Sequence, residues 1–131
     1  MFKQVEFASE KRNISIAENL VDEVAEYCSL SKEVYGNMLV TIIEAVANAI
    51  MHGNRSNPAL KVFVSCKVNP DHVVFIVRDQ GPGFDYSHVP DPTTSENIEK
   101  PNGRGVFLMR KLADYVDFED GGSTLMIQFK R

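Results

Sequence analysis

Polar and apolar positions along the chain change rhythm several times. "KQVEFA" alternates, with Val5 and Phe7 on one side, and predicts a short strand. "ISIAENLVDEVAEYCSL" sets Leu20, Val21, Val24 and Tyr27/Cys28 at helical spacing and predicts a first helix over 14–30. Ser31 is a candidate cap for a second helix through Val34, Met38, Ile42, Val46, Ala49 and Ile50, breaking at Gly53. After the turn residues of "NRSNP", the segments "LKVFVSCKV" and "HVVFIVRD" are rich in β-branched and aromatic residues. The intervening "NPD" makes them a hairpin. An irregular stretch follows from Gln80 to about Asn102, with Pro82, Pro90, Pro92 and Pro101; irregular segments of that length inside a domain are usually either functional or disordered. "GRGVFLMRKLADYV" returns to helical spacing through Val106, Met109, Leu112 and Ala113. "YVDFED" and "STLMIQFK" close the chain as two strands around a glycine turn. Helices interspersed with hairpin-connected strands predict an α/β (α+β) two-layer sandwich. Its sheet is mostly antiparallel or mixed, with helices on one face.

Composition narrows the class. A chain of 131 residues, 44% hydrophobic and 24% charged, fits one soluble domain over 1–131 with its own core. A net charge of −4 gives no general attraction to nucleic acid or anionic membrane. No apolar run approaches a membrane-spanning helix, and the N-terminus lacks the apolar segment of a secretory signal. Cys28 and Cys66 form no CxxC pair and are compatible with a reducing cytoplasm, where we expect the protein.

Three features carry candidate chemistry. Glu44, Asn48 and His52 recur every four residues on the most apolar helix, flanked by Ile42, Ile43, Val46, Ile50 and Met51. Such a stripe is either a solvated edge or the wall of a cleft. In a cleft, its carboxylate and carboxamide suit a hard cation such as Mg²⁺, and the carboxylate also suits a general base. "RDQGPGFD" places Asp79, Gly81 and Gly83 at the end of a strand. The glycines permit close backbone approach to a base or phosphate, and the aspartate can accept a hydrogen bond from an exocyclic amine; a plain strand-ending turn is the other reading. "NGRGVFLMRK" places Gly103, Arg104 and Gly105 where the irregular segment turns helical, a position whose free N–H groups favour phosphate.

In combination, "EAVANAIMHG", "DQGPGF" and "GRGVFLM" resemble the N, G1 and G2 boxes of the Bergerat-fold (GHKL) ATPases, and among these the bacterial anti-sigma-factor serine kinases. The resemblance covers nearly the whole chain and implies the Bergerat ATP-binding fold with ATP and Mg²⁺ as ligands. It implies Asn48 as the Mg²⁺ ligand, Asp79 at the adenine amino group with Gly81 and Gly83 beside the base, and Gly103, Arg104 and Gly105 at the phosphates. It further implies a lid over about 85–102 and Glu44 as the base that deprotonates an attacking serine hydroxyl. His52 receives only a supporting role. The implied activity is that of a serine/threonine kinase and anti-sigma factor that controls transcription by partner switching. Its implied partners are a sigma factor and an anti-anti-sigma (STAS-like) protein bearing the acceptor serine, together with a homodimer; neither nucleic acid nor membrane is implied. The alternative is a nucleotide-dependent anti-sigma binding module without kinase activity, using the acidic first helix, which has no Lys or Arg.

Overall fold

A computed structural model describes residues 1–82 and 101–131, the first four of the latter segment by backbone alone. The elements are β1 (Phe2–Ala8), α1 (Ile14–Cys28), α2 (Lys32–Asn48), β2 (Lys61–Val68), β3 (His72–Arg78), α3 (Pro101–Leu112), β4 (Tyr115–Glu119) and β5 (Thr124–Lys130). A 3₁₀ turn, Lys11–Asn13, leads into α1, and a π-helix, Ala49–Gly53, continues α2.

The five strands form one sheet in the order β1-β2-β3-β5-β4, with every pairing antiparallel. Their alternation is physical: Val62, Val64 and Cys66 of β2, Val73, Phe75 and Val77 of β3, and Leu125, Ile127 and Phe129 of β5 are all buried. The register sets these residues opposite one another, as in Val64↔Val77 and Phe75↔Ile127, so a single face collects the core. Phe75 and Phe129 meet edge to face there, with centroids 6.3 Å apart.

α2 packs against both α1 and α3. It places Met38, Ile42, Val46 and, beyond its end, Ile50 in the core, while α1 contributes Leu20, Val21 and Val24. The helices therefore cover one face of the sheet, as the sequence predicts. One expectation needs correcting: the continuous helical run Lys32–Gly53 is apolar and long enough by composition to cross a membrane. Part of that apolarity, at Met38, Ile42, Val46 and Ile50, is buried in the core.

Helix ends follow local chemistry. Ser31 caps α2, its Oγ accepting from Val34 N–H at 3.2 Å. α1 stops at Cys28, two residues before its predicted end, because Ser29 turns left-handed (φ 53°). The Leu30 N–H then reaches back to the Ala25 carbonyl at 3.1 Å. α3 begins at Pro101, so 101 and 102 belong to the helix and not to the preceding irregular segment; proline suits a first helical position because it has no N–H to satisfy. Gly83 and the remainder of the predicted lid lie outside the described residues.

Candidate functional site

The site forms where α2 ends. Through Asn48 the helix is regular; then the backbone widens, with Asn54 N–H bonding the Ala49 carbonyl five residues back at 2.8 Å. π-turns of this kind concentrate at functional positions. The change of pitch also alters the predicted stripe. Glu44 and Asn48, on regular helix, are half-buried, whereas His52 lies in the π-turn and is exposed.

Glu44 and Asn48 converge on the start of α3. A Cβ added to Gly105 would sit 2.8 Å from Asn48 Nδ2 and 3.1 Å from Glu44 Oε2. Such a Cβ would crowd both, so glycine here brings the helix backbone directly against the carboxylate and the carboxamide. Gly103 and Arg104 lie in the first turn of the same helix, two positions and one position before Gly105. First-turn N–H groups have no partner within their own helix, and the helix dipole favours an anion beside them.

Asp79 follows β3 immediately. Because Val77 faces the core and side chains alternate, Asp79 also projects to the helix-covered side. Its carboxylate touches the end of the π-helix, where a Cβ on Gly53 would lie 2.2 Å from Asp79 Oδ2. Its Oδ1 accepts from Gly81 N–H at 2.8 Å, and its own N–H donates to the Ser123 carbonyl at 2.9 Å. Burial pushes the Asp79 carboxyl above the ordinary carboxylate range, and the Gly81 N–H partly opposes the shift. Gly81 is confined in turn, since a Cβ there would lie 1.9 Å from the Gly53 carbonyl oxygen.

Between these parts opens a cleft of about 550 Å³, counting its open mouth. Asn48, His52, Gly53 and Asp79 supply polar lining; Val77, Val106, Met109, Phe118 and Leu125 supply apolar walls, and Gly122 and Ser123 complete the lining. An apolar slot with a few convergent polar groups is the usual form of a small-molecule site. Glu44 is set back from the cleft lining, against Gly105.

The chain belongs to the histidine kinase-like ATPase domain family, which it matches over residues 7–129. Its class is thus that of a nucleotide-using, kinase-like ATPase domain. Among named relatives it is 36% identical over 121 residues to the "Anti-sigma F factor" of Heyndrickxia coagulans, covering 88% of this chain and 81% of that protein. It is 29% identical to the "Anti-sigma F factor" of Bacillus subtilis, over 94% of this chain and 88% of that one. To the "Serine-protein kinase RsbW" of Oceanobacillus iheyensis it is 24% identical, over 89% and 78% of the two chains. The resemblance drawn from the three glycine and asparagine motifs thus holds for the family as a whole.

Two contributors escaped the sequence reading. Ser123 offers only its backbone carbonyl, which any residue could supply. Asn54 reads as loop chemistry in "NRSNP", yet its side chain is 99% buried and hydrogen-bonded on both ends. The signal available was its position directly after His52-Gly53.

Proposed function

We propose that this protein is an ATP-dependent serine/threonine kinase and anti-sigma factor that works by partner switching, phosphorylating a serine of an anti-anti-sigma protein. The observation that carries the reading is the convergence of Glu44 and Asn48 on Gly105 in the first turns of α3. Nucleotide binding alone needs no carboxylate there; phosphoryl transfer to a hydroxyl needs a proton acceptor. The names carried by the relatives, an anti-sigma factor and a serine-protein kinase, support the same reading.

In this proposal adenine enters the cleft with its 6-amino group toward Asp79, whose carboxylate accepts from it, and with Gly81 beside the ring. The phosphates lie toward Asn48 and the turn carrying Gly103, Arg104 and Gly105, where free N–H groups and a cation favour anionic oxygens. Hard oxygen donors at Asn48 and Glu44 fit Mg²⁺. We assign Asn48 as its protein ligand, with nucleotide oxygens and waters completing the shell; among the described residues no cluster of three His, Cys, Asp or Glu side chains would hold it alone. When bound, Mg²⁺ neutralises charge on the phosphate oxygens.

Glu44 takes the proton of the attacking serine hydroxyl. As the serine oxygen bonds to the γ-phosphorus, the bond to the β–γ bridging oxygen breaks and ADP departs with that electron pair. The transition state of such transfers is loose, so the chain contributes mainly position and electrostatics. A sigma factor as the second partner supports a cytoplasmic location, and the sheet face that no helix covers among the described residues suits a second copy of the chain.

The test is transfer from γ-labelled ATP to a STAS-like acceptor protein. Glu44→Gln is expected to label it ~10²-fold or more slowly, the scale of a lost general base, with ADP affinity unchanged. Equal labelling by both proteins would remove Glu44 from the role.

A further inference from the structure

We infer that Asn54 is the positioning residue that sets the base preference of this site, by fixing the Asp79–Gly81 turn against the end of the π-helix. The inference rests on the proposed role of Asp79 as the acceptor for the purine 6-amino group.

The carboxamide of Asn54 is fully used. Nδ2 donates to Ser9 Oγ at 2.7 Å and to the Lys61 carbonyl at 2.9 Å, while Oδ1 accepts from Gln80 N–H at 2.8 Å. These partners fix which end is nitrogen, since Lys61 presents only a carbonyl and Gln80 only an N–H. The Asn54 N–H meanwhile closes the π-turn on Ala49. One buried residue therefore joins the end of β1, the start of β2, the helix end and the turn after β3.

Its bond to Gln80 bears on the site because of what flanks it. Asp79 N–H is held by Ser123 on one side, and Gly81 N–H is held by the Asp79 carboxylate itself. Gln80 N–H lies between them, and Asn54 Oδ1 is its anchor to the helix layer. The turn is already pressed on the helix end, since Gly53 leaves no room for a Cβ beside the Asp79 carboxylate. Two successive backbone N–H groups, fixed from opposite layers, define the direction in which that carboxylate points. Without Asn54 the Gln80 peptide N–H loses its partner and Gln80 is held only through its side chain, whose Oε1 accepts from Lys61 N–H at 2.7 Å. A hydrogen bond to an exocyclic amine weakens steeply once misaligned.

Ser9 separates this role from simple stabilisation. It is buried with Asn54, its Oγ donates to the Leu60 carbonyl at 2.8 Å and accepts from Asn54, and its N–H also goes to Leu60, so its hydrogen bonds do not run to the turn. Ser9→Ala therefore removes part of the same network while leaving the Gln80 bond in place.

The experiment measures ADP and IDP affinities by calorimetry for the wild type, Asn54→Ala, Ser9→Ala and Asp79→Asn, with melting temperatures recorded alongside. IDP carries a 6-oxo acceptor in place of the amine. Asn54→Ala is expected to weaken ADP roughly three- to tenfold, the scale of one hydrogen bond, with IDP little changed. Ser9→Ala is expected to lower the melting temperature yet keep the wild-type ADP preference. A wild-type preference that is lost in Asp79→Asn but kept in Asn54→Ala would overturn this inference alone; a wild type with no preference would overturn the assignment of Asp79 as well. Hydrogen exchange at the Gln80 amide of the wild type gives a measure independent of any variant's folding. Slow exchange is expected, and exchange as fast as an exposed loop would refute the anchoring.

Discussion

At the scale of single residues, Asp79 shows how the site and the fold oppose each other. Its carboxyl is held above the ordinary range chiefly by burial, so the folded state favours the neutral form. The corresponding stability is fully present below the unfolded pKa, near 3.8, and is lost as pH rises through the shifted value. At pH 7 the charged group therefore works against folding. Asn can keep the Gly81 hydrogen bond without the charge, so ligand-free Asp79→Asn should melt no lower than the wild type and should lose its pH-dependent decline above pH 4. Its ADP affinity should nevertheless fall. Calorimetric melting at pH 4 and pH 7, with ADP titration, checks both. Asp79 and Gly81 were legible in sequence because strand parity and a glycine turn are local properties. Asn54 was not: a buried hub and an exposed turn asparagine look alike until the segments it joins, β1, β2 and the turn after β3, are brought together.

Among elements, α2 was the most legible and α3 the most instructive. The Ser31 cap and the apolar face of α2 follow from spacing, whereas the π-turn depends on contacts that no period reveals. That is why a stripe drawn at four-residue intervals places Glu44 and Asn48 well and leaves His52 at an exposed rim. The early start of α3 puts Gly105 a full turn inside the helix, so its value is close packing and not only free N–H groups. Gly105→Ala should raise helix propensity and yet crowd Asn48 and Glu44. An overpacking cost of ~1–3 kcal/mol falling on the site should weaken Mg-nucleotide binding about tenfold or more, with melting in the absence of nucleotide within a few degrees of wild type. A thermal shift with and without Mg-ADP separates the two effects; undiminished nucleotide stabilisation would count against the packing role.

Across the whole molecule, the layer architecture follows from alternation, since each strand puts its buried apolar residues on the helix side, among them Phe7, Val64, Phe75, Phe118 and Ile127. The strand order could not be read that way, because either strand of the β4–β5 hairpin could present its edge to β3 and only long-range pairing sets β5 there. Among the described residues no helix covers the opposite sheet face. Ile76 is 39% exposed and Tyr115 49% exposed, and Arg78 stacks its guanidinium 4.7 Å above the Phe63 ring. Lys67, Arg78, Asp117 and Glu119 lie around its apolar middle and provide both signs of charge for a two-fold contact. If the homodimer proposed above uses this face, sedimentation should give two chains for the wild type and one for Ile76→Glu. A wild-type protein that stays monomeric at high concentration would remove the dimer from the account.

The π-turn also has a consequence for length. A turn closed by five-residue bonds holds one residue more than its α counterpart, so Ala49–Gly53 is geometrically equivalent to a helix with one residue inserted. Losing one codon there would leave a tidier helix, yet would swing Gly53 and Asn54 around its axis and carry them away from Asp79. This stretch should therefore tolerate many substitutions at its exposed rim and almost no change in length.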